Sequence, residues 1–142
     1  MNCIGYKAGY KYQLAKPYSI STGIIPVETI QTEYLHLSLD GTLTIRAGYA
    51  WDGPSGPTFD TANFMRGSLV HDAFYQLMRE DCLKKERYRD QADRLLQRMC
   101  REDGMSAIRS WFVYQAVSRF ADPAADPANR RMELRAPEDC SA

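Results

Sequence analysis

The stretch at residues 52–60, "DGPSGPTFD", constrains the fold most, because it places two glycines and two prolines within nine residues. Proline removes a backbone donor and fixes φ, and glycine opens the backbone to irregular conformations, so neither a strand nor a helix can continue through it. The stretch therefore divides the chain into two halves, and their hydrophobic periodicities differ.

The N-terminal half has the period of β-strands. In "EYLHLSLDGTLTI" apolar side chains alternate with polar ones on both sides of Asp40-Gly41, a dipeptide that favours a tight hairpin turn. The alternating apolar positions are Leu35, Leu37, Leu39, Leu43 and Ile45. This pattern predicts a β-hairpin with one buried face, and it places His36 on the opposite, solvent-facing side.

The C-terminal half has the period of helices. We predict three, at about residues 60–80, 84–101 and 105–120, with the first two antiparallel across a short connection. The second carries an apolar stripe at Tyr88, Ala92, Leu95, Leu96 and Met99. The third places Ile108, Trp111, Phe112, Val113 and Val117 around a broad apolar face. Trp111, Phe112 and Tyr114 are candidates for a binding surface, although side chains at this helical spacing are more often core residues.

Together these patterns predict an α+β fold, with N-terminal antiparallel hairpins followed by three helices. At 142 residues the chain has the length of one domain. We place that domain at residues 1–121. Residues 122–142 are rich in proline, alanine and charge, and we expect a disordered tail there.

The overall charge excludes some classes of function. The 18 basic and 18 acidic residues cancel, so no global field attracts nucleic acid, and no nucleic-acid partner is predicted. No apolar run is long enough to span a bilayer, and the first residues lack the hydrophobic centre of a signal peptide. The cytoplasm is therefore the expected compartment, and the sequence predicts no particular oligomeric state.

The segment "HDAFY" carries the candidate chemistry. Within a helix His71 and Tyr75 lie on one face, whereas Asp72 is rotated by about 100° toward a neighbouring surface. On the second helix Asp93 lies beside the apolar stripe. If the two helices pack antiparallel, Asp93 can reach one ring nitrogen of His71 and leave the other nitrogen as a base.

Such a group of residues can activate water for attack on an ester. Asp93 fixes the tautomer of His71, the imidazole takes a proton from water, and Tyr75 braces the carboxylates through its hydroxyl. A calcium ion held by Asp72 would polarise the ester carbonyl. Because calcium needs six to eight oxygen ligands, backbone carbonyls at Gly53 and Gly56 are the candidates to complete the shell.

Between Trp51 and Met99 the chain resembles the secreted and viral phospholipase A2 families, which combine a glycine-containing loop, a His-Asp-x-x-Tyr helix and an antiparallel helix with one Asp. The resemblance implies that His71 is the general base, that Asp93 orients it and that Tyr75 braces the network. It also implies calcium at Asp72, Gly53 and Gly56, and a phospholipid as the substrate. Unlike secreted members, this chain has no cysteine beside its His-Asp pair.

A longer resemblance covers about residues 35–121. The segments "TIRAGYAWDGPSGP", "LVHDAFY", "RDQADRLLQRM" and "SWFVYQAVSRF" resemble, in this order, a family of small domains of unknown function, number 1353, found mainly in bacteriophages and prophages. The matching positions are Asp52, Ser55, Pro57, His71, Asp72, Tyr75, Ala92, Asp93, Ala116 and Val117. The resemblance implies a phage origin, in the host cytoplasm or in the virion, but no activity.

Two alternatives to an esterase stay open. The polar residues can form a buried hydrogen-bonded network that only fixes packing. The protein would then be a non-enzymatic phage structural protein or a host-interaction protein, with a phage or host protein as its partner. A metal phosphohydrolase of the HD type needs further histidines, and the only other one, His36, lies in a predicted strand.

Overall fold

A computed structural model describes residues 4–6, 12–51, 62–129 and 134–136. Its strands are β1 (Ile4–Tyr6), β2 (Tyr12–Gln13), β3 (Tyr18–Ser21), β4 (Ile30–Gln31), β5 (Leu35–Leu37), β6 (Thr42–Ile45), β7 (Ala50–Trp51) and β8 (Leu134–Ala136). Its helices are α1 (Ala62–Arg79), α2 (Lys85–Glu102), α3 (Ala107–Phe120) and α4 (Asp122–Ala125), followed by a 3-10 turn at Pro127–Asn129. Strands precede the main helices, so the predicted α+β class is confirmed.

The main sheet is antiparallel, with the strand order β3-β6-β5-β4. The predicted hairpin forms its centre, with Leu37 opposite Leu43, and the positive φ of 84° at Gly41 makes the turn possible. Four of the alternating positions are fully buried: Leu35, Leu37, Leu43 and Ile45. Leu39 was expected on the same face, but its side chain is 58% exposed because it lies in the turn, beyond the end of β5.

Trp51 connects the sheet half to the helices. Its ring lies 5.6 Å from the ring of Tyr12, whose strand β2 pairs with β7. Its indole Nε1 donates a hydrogen bond to the hydroxyl oxygen of Ser68 on α1, at 3.3 Å. Because Ser68 precedes His71 by about one helical turn, this contact anchors the end of β7 close to the candidate site.

The α1 and α2 helices pack antiparallel, as the sequence predicts. Early residues of α1 meet late residues of α2: a methyl group added at Gly67 would lie 3.0 Å from a terminal carbon of Leu96 and 3.4 Å from the sulfur of Cys100. Four residues later, His71 meets Asp93. The absence of a side chain at Gly67 therefore allows the close approach that brings His71 and Asp93 together.

The α3 helix differs from its prediction. Val113 is buried, but four of its large apolar side chains are 49–78% exposed: Ile108, Trp111, Phe112 and Phe120. The helix packs on α2 and contacts α4, and these contacts leave the four side chains exposed within the described part of the chain. The expectation that Trp111 and Phe112 are core residues is therefore wrong.

Part of the segment after residue 121, for which the sequence predicts a disordered tail, lies within the described residues. Residues 122–125 form α4, the side chain of Ala125 is completely buried, and Arg79 donates a hydrogen bond to the carbonyl oxygen of Ala124 at 2.8 Å. These contacts hold α4 against α1, and Asp122 at the start of α4 pairs with Lys85 and Arg89 on α2. Residues 130–133 and 137–142 lie outside the described part of the chain, so the expectation of disorder is not tested there.

Candidate functional site

The site is built around His71, which points from the middle of α1 toward α2. Its Nε2 lies 2.7 Å from Oδ1 of Asp93, and its side chain is only 7% exposed. An ionised carboxylate can only accept hydrogen bonds, so Nε2 carries the ring proton and donates the hydrogen bond to Asp93. In the neutral imidazole the other nitrogen, Nδ1, is then the basic atom.

Tyr75 braces the same carboxylate. Its hydroxyl donates a hydrogen bond to Oδ1 of Asp93 at 2.6 Å, and its ring lies against the imidazole of His71 at a centroid separation of 4.2 Å. The helical spacing of four residues produces this stacking. The structure thus brings together His71, Tyr75 and Asp93 in the contacts that the sequence predicts, while their catalytic roles stay predictions.

The ionisation of His71 and Tyr75 is shifted by these surroundings. Burial lowers the pKa of His71, but the carboxylates of Asp72 and Asp93 raise it by more, so the pKa lies above its ordinary value. Burial and the hydrogen bond to Asp93 raise the pKa of Tyr75 far above its ordinary value. The surroundings therefore favour the protonated form of the His71 ring and of the Tyr75 hydroxyl.

Asp72 lies on the Nδ1 side of His71. Its Oδ1 is 4.0 Å from Nδ1, and its side chain is 32% exposed. A carboxylate at this position stabilises the imidazolium that forms when Nδ1 takes up a proton. The two hydrogen-bonding sides of the ring therefore face two different acids, one buried and one partly open to solvent.

The predicted calcium shell is only partly within the described residues. Gly53 and Gly56 lie outside them, and among residues 12–51 and 62–129 no three His, Cys, Asp or Glu side chains are grouped as metal ligands. Asp72 alone does not fit a calcium ion that needs six to eight oxygens. Calcium at this site stays a prediction, and no chemical step is assigned to it here.

The second histidine does not join the site. His36 lies in β5, where Nδ1 is hydrogen-bonded to Oε1 of Gln31 on the neighbouring strand β4. A phosphohydrolase of the HD type needs several histidines around one metal. The described residues near His71 do not supply that shell.

Arg89 is part of the site, although the sequence did not single it out. Its guanidinium lies 3.9 Å from Oδ2 of Asp93, an oxygen that is buried and has no hydrogen-bond partner among the described residues. The same guanidinium donates a hydrogen bond to the carbonyl of Ser118 on α3 and pairs with Asp122. Arg89 precedes Asp93 by one helical turn, and in the sequence this spacing of four residues is the signal that the two side chains can pair.

Arg89 also compensates the burial of the Asp93 carboxylate, whose side chain is 1% exposed. A buried carboxylate is costly unless a cation and hydrogen bonds compensate it. Here two donors bind Oδ1 and a guanidinium lies near Oδ2. This arrangement can hold an imidazole rigidly and stabilise its protonated form, which are the requirements for a general base.

Comparison with known proteins gives one match. The model of a family described as Protein of unknown function (DUF1353) matches residues 29–117, which is more than half of the chain. The chain belongs to this family. The matched region contains the main hairpin, α1, α2 and most of α3, and hence His71, Asp72, Tyr75, Arg89 and Asp93.

Neither the curated proteins nor the solved structures give a further match. Within the described ranges, no helix combines the length and the apolar character that crossing a membrane requires. The membership of the family is thus shown.

Proposed function

We propose that this protein is a hydrolase of lipid esters with a site like that of phospholipase A2, in which His71 is the general base. The observation that carries the proposal is the pair of His71 and Asp93, with Nε2 fixed by a buried carboxylate at 2.7 Å and Nδ1 left as the basic nitrogen. Tyr75 is the brace of this pair.

In the proposed reaction Nδ1 of His71 takes a proton from a water molecule, and the resulting hydroxide attacks the carbonyl carbon of the ester. The C–O bond to the leaving alkoxide breaks, and His71 returns the proton to that alkoxide. The products are a free fatty acid and a lysophospholipid, so atoms and charges balance. Asp93 and Asp72 stabilise the imidazolium between the two proton transfers.

The test is the release of fatty acid from phospholipid vesicles by the wild type and by His71→Ala, in calcium and in a chelator. We expect release by the wild type and a loss of at least about a hundredfold in the variant, because general-base catalysis contributes on this order. The melting temperature of both proteins is measured in parallel. No release by the wild type under either condition, together with a large drop in melting temperature for the variant, would contradict the proposal.

One observation favours a second candidate, a non-enzymatic packing network. The side chain of His71 is only 7% exposed, and a buried, satisfied polar network can specify packing without reacting. In that case the protein would act as a phage structural or host-interaction protein. His71→Ala would then reduce stability, and neither protein would release fatty acid.

We further propose a phage or prophage origin, with the protein either in the cytoplasm of the host cell or associated with the virion. The support is the sequence resemblance described above. Immunoblotting of purified virions and of infected-cell extracts with an antibody against this chain distinguishes the two locations. Absence of the protein from both samples of a phage that encodes it would contradict the proposal.

A further inference from the structure

The outer edge of β3 is an open edge of the main sheet. In the strand order β3-β6-β5-β4, β3 pairs with β6 on one side, and no strand of the described residues pairs with its other side. Ser19 and Ser21 of this strand are exposed, whereas Tyr18 and Ile20 are half-buried against the core. Such an edge presents a row of backbone donors and acceptors to which another chain can add a strand.

The register shows which backbone groups of β3 point outward. The amide of Thr22 donates a hydrogen bond to the carbonyl oxygen of Gly41 at 2.9 Å, so these two residues form a hydrogen-bonded pair of the antiparallel ladder. Such pairs alternate with non-hydrogen-bonded pairs, and Ser19 opposite Thr44 is one of the latter. The 2.9 Å contact between the hydroxyls of Ser19 and Thr44 agrees, because side chains lie closest in such pairs. The backbone N–H and C=O groups of Ser19 and Ser21 therefore point away from β6.

This edge lacks the charges that commonly protect edge strands. From Pro17 to Val27 the chain contains no charged residue. The opposite edge of the main sheet, β4, is only 2 residues long, and the exposed acids Glu28 and Glu33 lie on either side of it. Short strands and charged side chains are common means of preventing one sheet edge from pairing with another. Of the two edges, β3 is therefore the one suited to receive a further strand.

A second copy of β3 is complementary to this edge. If two copies pair antiparallel about a two-fold axis at Ile20, Ser19 of one copy lies opposite Ser21 of the other, and each such pair exchanges both of its backbone hydrogen bonds. The two Ile20 residues then form the central non-hydrogen-bonded pair, in which the Cα atoms lie about 4.5 Å apart. Both strands are uncharged, so no like charges oppose each other across the contact.

We infer that the outer edge of β3 is a site of self-association, at which a second copy of this chain adds its own β3 and joins the two main sheets into one. The inference goes beyond the proposed function and does not depend on it. The outward amides of Ser19 and Ser21 gain partners, and the half-buried Ile20 loses apolar area to the other copy. Because a single strand pair is a small interface, the association should be weak and depend on protein concentration.

Sedimentation velocity of the full chain over a range of concentrations measures the association. We expect the mean sedimentation coefficient to rise with concentration toward that of a dimer. Ser21→Pro removes an outward N–H and leaves the hydrogen bonds to β6 in place, so the monomer should stay folded. It should weaken dimerisation at least about tenfold, because the two-fold axis doubles the loss to two hydrogen bonds.

Gln31→Pro is the matched control at the opposite edge of the sheet. The amide of Thr32 donates a hydrogen bond to the carbonyl oxygen of Leu35 at 2.8 Å, so the same alternation points the N–H of Gln31 away from β5. We expect Gln31→Pro to associate like the wild type, with circular dichroism showing that both proline variants are folded. A wild type that is monomeric at every concentration, or equal weakening in the two variants, would overturn the inference.

Disulfide cross-linking tests the register without a proline. In a background whose natural cysteines are replaced by alanine, Ile20→Cys places two thiols at the central pair, where the Cα separation is within the range that a disulfide bond spans. We expect mild oxidation to link Ile20→Cys into a dimer faster than Leu39→Cys, although Leu39 is 58% exposed on a turn. Equal rates for the two variants, or a dimer that Ile20→Cys does not link, would overturn the inference.

Discussion

At the scale of single residues, the stability of the protein should depend on the protonation of His71. Its pKa is higher in the folded protein than in the unfolded chain, because the carboxylates of Asp72 and Asp93 outweigh the effect of burial. The folded state therefore binds the proton more tightly. This contribution to stability is fully present below the unfolded pKa of about 6.5 and is lost as the pH rises through the folded value.

We therefore expect the free energy of unfolding in urea to fall as the pH rises above about 6.5 and through the folded-state pKa of His71. Measurement in a His36→Gln background removes the titration of the second histidine. In His36→Gln/His71→Asn the decrease should disappear, although the protein is less stable at every pH. A decrease of the same size in both proteins would show that His71 is not its source.

Asp72 should control the proton affinity of the basic nitrogen. Its carboxylate lies 4.0 Å from Nδ1 of His71 and favours the protonated ring. Asp72→Asn removes this charge, so the pKa of His71 should fall, while the folded structure stays intact because Asp72 is partly exposed. An NMR titration of the His71 ring protons measures the change, with Asp81→Asn, at an exposed acid just beyond the end of α1, as the control. An unchanged or higher pKa in Asp72→Asn would contradict the assigned geometry.

The residues of the site could largely be predicted from the sequence. Helical spacing places His71 and Tyr75 on one face, and a short connection between two helices makes Asp93 their natural partner. Arg89 and Asp93 also have a helical spacing of four residues, which is a local signal for their pairing, but the contacts of Arg89 with the Ser118 carbonyl and with Asp122 join distant parts of the chain. Contacts between distant parts of the chain leave no local pattern.

At the scale of elements, the distance between α1 and α2 should control the site. A side chain at Gly67 would meet Leu96 and Cys100, which are both buried. We expect Gly67→Val to push the helices apart and to lower the free energy of unfolding by about 1–3 kcal/mol through overpacking. The hydrogen bond between His71 and Asp93, one turn away, should weaken.

Urea unfolding measures the stability of Gly67→Val, and the NMR titration of His71 measures the weakened contact as a lower pKa. Ala62→Val is the matched control, because Ala62 is exposed at the start of the same helix. This substitution introduces the same β-branched side chain into α1, at a position that does not oppose α2. If the two variants have the same stability and the same His71 pKa, the close approach at Gly67 does not matter.

The prediction that Trp111 and Phe112 of α3 are core residues failed for a physical reason that belongs to the scale of elements. Hydrophobic periodicity predicts that a helix has an apolar face, but it does not tell whether another part of the same chain covers that face. In the described part of the chain Ser110 and Val113 are the buried residues of α3, whereas Ile108, Trp111, Phe112 and Phe120 are exposed. The lengths and positions of the three main helices, by contrast, follow from local breakers and caps such as Ser106, which accepts a hydrogen bond from the Arg109 amide.

At the scale of the whole molecule, we propose that the folded unit extends past residue 121. Ala125 is completely buried, whereas the neighbouring Ala124 is exposed. Ala125→Glu should undock α4 and lower the free energy of unfolding by about 1–3 kcal/mol, because a charge would otherwise be buried without a partner. Ala124→Glu is the matched control and should change the stability by no more than about 0.5 kcal/mol.

Urea unfolding of both variants decides this point. Equal stability of Ala125→Glu and the wild type would place residues 122–125 outside the cooperative unit and would support the tail predicted from composition. The sequence could not predict this docking, since four residues rich in alanine and proline carry too little apolar pattern. The burial depends instead on α1, whose Arg79 binds the Ala124 carbonyl.

The central claim is that His71 acts as a base toward lipid esters, and the pH dependence of fatty-acid release from phosphatidylglycerol vesicles tests it most directly. Because the base must be unprotonated, the rate for the wild type should rise with pH through the His71 pKa measured by NMR, a value above 6.5. His71→Ala should release fatty acid at least about a hundredfold more slowly at every pH. Absence of release by the wild type with and without calcium, or undiminished release by the variant, would contradict the claim.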